Sequence, residues 1–329
     1  MPPKPLSYPA LKCVLENLEA VKRFHITARS PGLQKIDKLV PIRLDNLCMA
    51  RYELIFNELS IEFWPDVVFN NMRTGKSICY SVRSENSMKK MIDYYLVGRS
   101  QILLNQLDSP INNKRKADYA ANLKLRVNCL NIRDNNHSDE AIHLIHPDCF
   151  PLKTIKTTVI GPETSGHPIF QSARTLILSG GNYDMPPQLE DIKKLHNETI
   201  VFEEDPFSSR NLGIFKFIRY LKESVPPGRT FILLQSDGYV KTLLSYVKMG
   251  CSRYMDPLDS VQERFIPGAP RFLIPINDTS SIQIYGIEEI KNGRKADKIV
   301  FKVVPTDCCK LQEDHDANRL SRFKKYNSY

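Results

Sequence analysis

What this 329-residue chain lacks narrows the possibilities first. It has no apolar run approaching the roughly 18 residues that a transmembrane helix needs. Its opening Met1-Pro2-Pro3-Lys4-Pro5 leads into no uninterrupted apolar stretch, so no secretory signal is expected. The eight cysteines at 13, 48, 79, 129, 149, 251, 308 and 309 are then expected to be reduced thiols used as small core residues. Ser179-Gly180-Gly181-Asn182 is followed by neither the P-loop lysine nor a three-glycine dinucleotide fingerprint. It reads as a tight turn at a strand end. A nucleophile elbow, a kinase residue set and a paired-carboxylate motif are all missing. So are RNA-binding and zinc-finger signatures. His143, His146 and Cys149 form the best metal candidate, because imidazole and thiolate suit zinc. Pro147 interrupts any helix there, however, and no fourth ligand stands nearby, so loop histidines are the better reading. The expectation is a non-enzyme with no cofactor and no metal.

What is present looks globular: 42% hydrophobic and 25% charged residues, with a net charge of +9. The charge is uneven. Residues 1–43 hold Lys4, Lys12, Lys22, Arg23, Arg29, Lys35, Lys38 and Arg43 against Glu16, Glu19 and Asp37, eight minus three or +5. Clustered positive charge attracts nucleic acid or an acidic protein surface. It equally describes the solvated face of amphipathic helices, and with no nucleic-acid signature to support it, nucleic acid is the less favoured partner.

Leu11, Val14, Leu15, Leu18 and Val21 recur at helical spacing and predict one apolar stripe. Ser7 can cap the start, with Pro9 tolerated in the first turn. Ser30-Pro31 is a second start signal, followed by Leu33, Ile36 and Leu39. Two or three short helices are thus expected in about 40 residues, too little chain to bury a core alone. They must pack on the rest of the protein, on a partner, or on both.

From Pro41 the pattern changes. Leu59, Ile61 and Phe63 alternate with polar residues, Val67–Phe69 and Ile78–Val82 resemble strands, and Met72–Gly75 reads as a hairpin loop. An antiparallel meander over about 51–83 follows, with Trp64 anchoring its edge. Glu85–Met88 opens a helix that ends near Gly98. Strand-like apolar bursts then begin near Ile102, Leu125, Thr154, Thr175, Thr199 and Thr230, at the spacing of leucine-rich-repeat-like β/α arrays. Connecting helices are expected at Leu189–Leu195, along Leu212, Phe215, Ile218 and Leu221, and at Tyr239–Met249. Phe272–Ile276 and Ser281–Tyr285 flank the turn signal Asn277-Asp278. A short helix at Glu288–Gly293 and a strand at Lys298–Val304 complete the reading. The fold class is α+β, with a helical N-terminus, then the meander, then an irregular leucine-rich-repeat-like β/α array ending in β-hairpins.

Leu6, Pro9, Leu11, Val14, Leu15, Leu18 and Arg23 together resemble an F-box, the helical module that joins a substrate receptor to the Skp1-type adaptor of cullin-RING ubiquitin ligases. With Arg29–Pro41 and later phrases, the chain from Leu6 to about Pro305 is similar to large nematode families of F-box-type proteins with an uncharacterised C-terminal domain. The resemblance implies an F-box-like module over 1–43, a recognition domain over 44–305 and a charged tail over 306–329. It implies a non-catalytic ligase subunit, cytoplasmic or nuclear and not membrane-bound. Leu6, Pro9, Leu11, Val14, Leu15 and Leu18 would meet the adaptor and cullin complex, and the C-terminal domain would meet an unknown protein target. The alternative is a free-standing protein- or nucleic-acid-binding protein whose N-terminal helices belong to its core.

Overall fold

The computed structural model describes residues 7–50, 52–81, 87–108, 123–132, 138–158, 165–179, 189–203, 213–235, 239–291 and 294–306. The chain divides into two compact units, Met1–Val159 and Ile160–Tyr329.

The first unit opens with helices α1 (Tyr8–Asn17), α2 (Ala20–Thr27) and α3 (Pro31–Leu39). Strands β1 (Ile42–Ala50), β2 (Glu53–Phe56), β3 (Leu59–Glu62), β4 (Val67–Asn71) and β5 (Lys76–Tyr80) follow. Helix α4 (Ser87–Tyr95), strands β6 (Ile102–Asp108) and β7 (Leu125–Ile132), helix α5 (Ser138–His143) and strand β8 (Thr154–Thr157) complete it. The strands run in the order β8-β7-β6-β1-β2-β3-β4-β5. Pairing is parallel from β8 to β1 and antiparallel from β1 to β5. Ile42 and Leu44 of β1 are buried while Arg43 and Asp45 face water, the alternation of a half-buried strand. Asn57 turns β2 into β3 with φ of 51°, a left-handed conformation that asparagine tolerates. Its Oδ1 accepts the N–H groups of Asp45 and Asn46 at 2.8 and 3.2 Å, holding that turn against β1.

The second unit contains α6 (Pro168–Ser172), β9 (Thr175–Leu178), α7 (Leu189–Lys194), β10 (Thr199–Phe202), α8 (Ile214–Ser224), β11 (Thr230–Gln235) and α9 (Tyr239–Cys251). It closes with β12 (Phe272–Asn277), β13 (Ser280–Lys291) and β14 (Arg294–Pro305). Strands β9, β10 and β11 are parallel, and β11 then meets β14 antiparallel, followed by β13 and β12. Phe217 of α8 is fully buried, its ring 5.3 Å from that of Phe231 and 5.5 Å from that of Phe301. These edge-on contacts clamp α8 on β11 and β14.

The α+β class, the helical start and the antiparallel meander agree with the sequence reading, and all six apolar bursts begin strands β6 to β11. Four details are corrected. Glu288–Lys291 is not helical: β13 continues to Lys291, paired residue by residue with β14 as far as Lys291↔Arg294, and this long ladder overrides a local run of helix formers. Gly293 lies outside the described residues. Trp64 is 71% exposed and leans on Tyr52 with ring centroids 5.9 Å apart, so it is a surface residue. Cys13 and Cys79 are exposed thiols and not core groups, whereas Cys48 and Cys251 are buried as expected. Phe215 does not join the inward stripe of its helix: Ile214, Phe217, Ile218, Tyr220 and Leu221 are buried and Phe215 stands 38% exposed. Leu212, Val82, Gly180–Asn182 and the tail from 307 lie outside the described residues.

Candidate functional site

Helices α1 to α3 carry the predicted site, and polar atoms fix their arrangement. Ser30 caps α3, its Oγ accepting the Leu33 N–H at 3.4 Å, with Pro31 in the first turn. The break between α1 and α2 falls inside the stripe Leu11–Val21 that the spacing predicts as one helical face. Leu18 is extended, with φ −84° and ψ 133°, and the Glu19 carboxylate accepts the N–H groups of Val21 and Lys22, each at 3.0 Å. Asn57 adds a third donor at 3.0 Å. Burial alone would raise the Glu19 pKa, but these donors and the Lys22 charge outweigh it and hold the carboxyl below its ordinary value.

The break splits the expected stripe. Leu15 turns into its own protein at 2% exposure, and Val21, on α2, is also buried. Leu11 and Leu18 are half-buried. Pro9 is exposed in the first turn of α1, and Val14 is 49% exposed. Leu6 lies outside the described residues. The predicted set is therefore not one face: part of it is core, part is surface. Three further large apolar side chains are exposed on these helices: Tyr8 at 53%, Ile26 at 50% and Leu39 at 63%. Leu39 belonged to a recognised repeat, but Ile26, flanked by His25 and Thr27, gave no signal in the sequence.

Beneath this surface sits a buried ionic knot. Arg23, 1% exposed on α2, pairs through Nε with the Asp37 carboxylate of α3. Its other nitrogens donate to the carbonyls of Leu15 at 3.2 Å, Pro41 at 2.8 Å, Asp37 at 2.8 Å and Val40 at 2.7 Å. Arg99, beyond α4, donates Nη2 to the other Asp37 oxygen at 2.6 Å and lies over the Phe24 ring at 5.4 Å. Burial holds the Arg99 pKa below its ordinary value, and the opposing pull of Asp37 offsets this only in part. Phe24, Phe56 and Tyr95 form a triangle of rings 4.5 to 5.5 Å apart, joining α2 to β2 and α4. Burial pushes the Tyr95 hydroxyl up to about 12. One aspartate thus cross-links α2, α3 and Arg99, four residues past the end of α4, while Arg23 gathers carbonyls from α1 and the entry to β1.

The metal candidate does not assemble. His146 caps the short turn Pro147–Cys149, its Nδ1 accepting the Asp148 N–H at 3.3 Å. Among the described residues no group of three or more histidine, cysteine, aspartate or glutamate side chains is arranged to hold a metal. No helix among them is long and apolar enough to cross a membrane.

Residues 83–232 match the profile of a family described as a domain of unknown function, DUF3557. That stretch, somewhat under half of the chain, runs from just before α4 into β11 and leaves α1 to α3 outside it. An uncharacterised domain after the helical start is what the resemblance implied. No curated protein and no solved structure matches the chain.

Proposed function

We propose that this protein is a non-catalytic substrate-recognition subunit of a Skp1-cullin-F-box ubiquitin ligase, cytoplasmic or nuclear, of the nematode F-box type. Helices α1 to α3 dock the adaptor, and the rest of the chain holds a target protein through its strand-plus-helix units, read as leucine-rich-repeat-like. The observation that carries this reading is that each N-terminal helix keeps a large apolar side chain about half exposed or more: Tyr8 and Val14 on α1, Ile26 on α2 and Leu39 on α3. Exposed apolar groups on neighbouring short helices fit a groove in a partner. The Arg23–Asp37–Arg99 knot supports it further, since a receptor acts by holding its target's lysines near a charged E2, and a rigid joint preserves that geometry.

The residues to change are those facing water. Val14→Asp with Leu39→Asp should abolish capture by purified Skp1-type adaptor while the thermal unfolding midpoint stays within a few degrees of the parent. Leu15→Asp would unfold the helices and decide nothing. Undiminished capture by the Val14/Leu39 variant would remove α1 to α3 as the docking face.

A second reading has its own observation. Arg23 and Asp37 are as buried as core residues, so α1 to α3 would serve as an integral part of a free-standing protein- or nucleic-acid-binding protein. That reading predicts no adaptor capture at all, and aggregation of a chain lacking residues 1–43. Nucleic-acid binding that weakens steeply with salt would select its basic-patch form.

A further inference from the structure

We propose that the surface formed by α8 and α9 is the target-holding site, and that its ligand is an acidic peptide segment bearing large apolar side chains. This rests on the receptor reading above for its biological role, but its chemistry stands on its own observations. A cavity of about 390 Å³ opens between the first turns of the two helices, lined by Ile214, Phe215, Lys216, Tyr239, Leu243 and Tyr246 among others. Phe215 and Tyr246 pack against each other, ring centroids 5.3 Å apart, and remain 38% and 50% exposed. Met249, one turn beyond Tyr246, is 80% exposed. Phe215 reaches this position because α9 has glycine where the ring crosses it: a Cβ on Gly250 would lie 2.6 Å from the ring.

Charge selects the ligand. Helix α8 carries Lys216, Arg219 and Lys222 against Glu223, and α9 carries Lys241 and Lys248 with no acid. The two helices that present these two aromatic rings and a methionine thus carry five cations against one carboxylate, with Lys216 at the cavity itself. Aromatic and methionine side chains are what protein interfaces enrich, and surrounding cations attract an acidic partner and speed its arrival. A single-stranded nucleic acid would want open ring faces on which bases stack. Phe215 and Tyr246 spend part of theirs on each other, and the cavity between the helices suits an inserted side chain better.

The test uses the full chain and two fluorescein-labelled 15-residue probes. Both place Leu and Phe at i, i+3, i+4 and i+7; one carries Asp and Glu at the remaining charged positions, the other Lys and Arg. Anisotropy titration should show the acidic probe binding at least about tenfold more tightly, with affinity falling as salt rises. Lys216→Glu with Arg219→Glu should weaken it about tenfold or more, and Tyr246→Ala about fivefold, with the unfolding midpoint unchanged. Gly250→Ala, which displaces the Phe215 ring, should weaken it without altering charge. Equal affinity for both probes, no binding of either, indifference to all three variants, or preference for an oligo-dT single strand would each overturn the proposal. Adaptor capture separates the two ideas. A chain that captures adaptor but ignores the acidic probe keeps the receptor reading and loses this site. A chain that binds the probe but no adaptor keeps the site and loses the ligase.

Discussion

Each unit buries an arginine, and the two are satisfied differently. Arg23 is paired with a carboxylate that also holds Arg99, and four backbone carbonyls take its remaining N–H groups. Arg229, immediately before β11, donates to the carbonyls of Asn197 at 3.1 Å and Leu195 at 2.8 Å, with the Tyr220 hydroxyl beside it and the Phe231 ring beneath it at 5.2 Å. Among the described residues no carboxylate forms an ion pair with Arg229. Burial lowers the Arg229 pKa against the pull of Tyr220, and burial raises that of Tyr220 against the pull of Arg229. The first arrangement fastens separate helices that are too short to hold themselves. The second ties a strand start to the end of a neighbouring helix already seated on an apolar core. Among the described residues, the ion pairs buried on both sides are the two that hold α2, α3 and Arg99 together.

The contrast breaks most visibly at Asp37. Asp37→Ala leaves two buried guanidinium groups without their carboxylate and should cost about 3–5 kcal/mol in urea unfolding. A loss below about 1 kcal/mol would mean water reaches the site and the knot is not a fastener. Next in size is Arg229→Met, which removes a cation held by neutral oxygens and keeps most of the apolar stem. The orphaned carbonyls should cost about 1–3 kcal/mol, clearly less than Asp37→Ala. Equal losses at the two sites would erase the distinction. Smaller again is Tyr220→Phe, which deletes one hydroxyl beside Arg229 and should cost about 1 kcal/mol by the same measurement.

Where apolar residues recur with a fixed period, the sequence was informative. Strand onsets at Ile102, Leu125, Thr154, Thr175, Thr199 and Thr230 were legible because interior strands of parallel ladders need unbroken or alternating apolar runs. The Ser30-Pro31 start was legible because capping chemistry is local. What failed depended on distant partners. Arg23 and Asp37 sit on amphipathic helices where charged residues nearly always face water, and only the meeting of α2, α3 and Arg99 makes their burial affordable. Phe215 obeyed a helical period yet points outward, because Gly250, 35 positions later, clears a place for its ring. The residues from Glu288 favoured helix locally, but β14 lies opposite each of them in antiparallel register up to Lys291. Of the candidate site, the helices were legible and the face was not, since burial of Leu15 and exposure of Ile26 follow from how three helices pack.

The break at Leu18 offers the finest probe of how far polar fastening reaches beyond the buried knot. Glu19 caps α2 and accepts from Asn57, so its carboxylate joins the helices to the β2–β3 turn. Its folded pKa lies below the ordinary value, so the native state favours the ionised form. The stabilisation is therefore fully present above the unfolded pKa of about 4.3 and disappears as pH falls through the folded value. The group is largely solvent-exposed, and screening keeps its contribution below about 1 kcal/mol. Glu19→Gln should lower the thermal unfolding midpoint slightly at pH 7, and the gap between variant and parent should close as the pH approaches 3. A gap that persists undiminished into acid would show that the capping geometry, which glutamine cannot reproduce, matters and the charge does not.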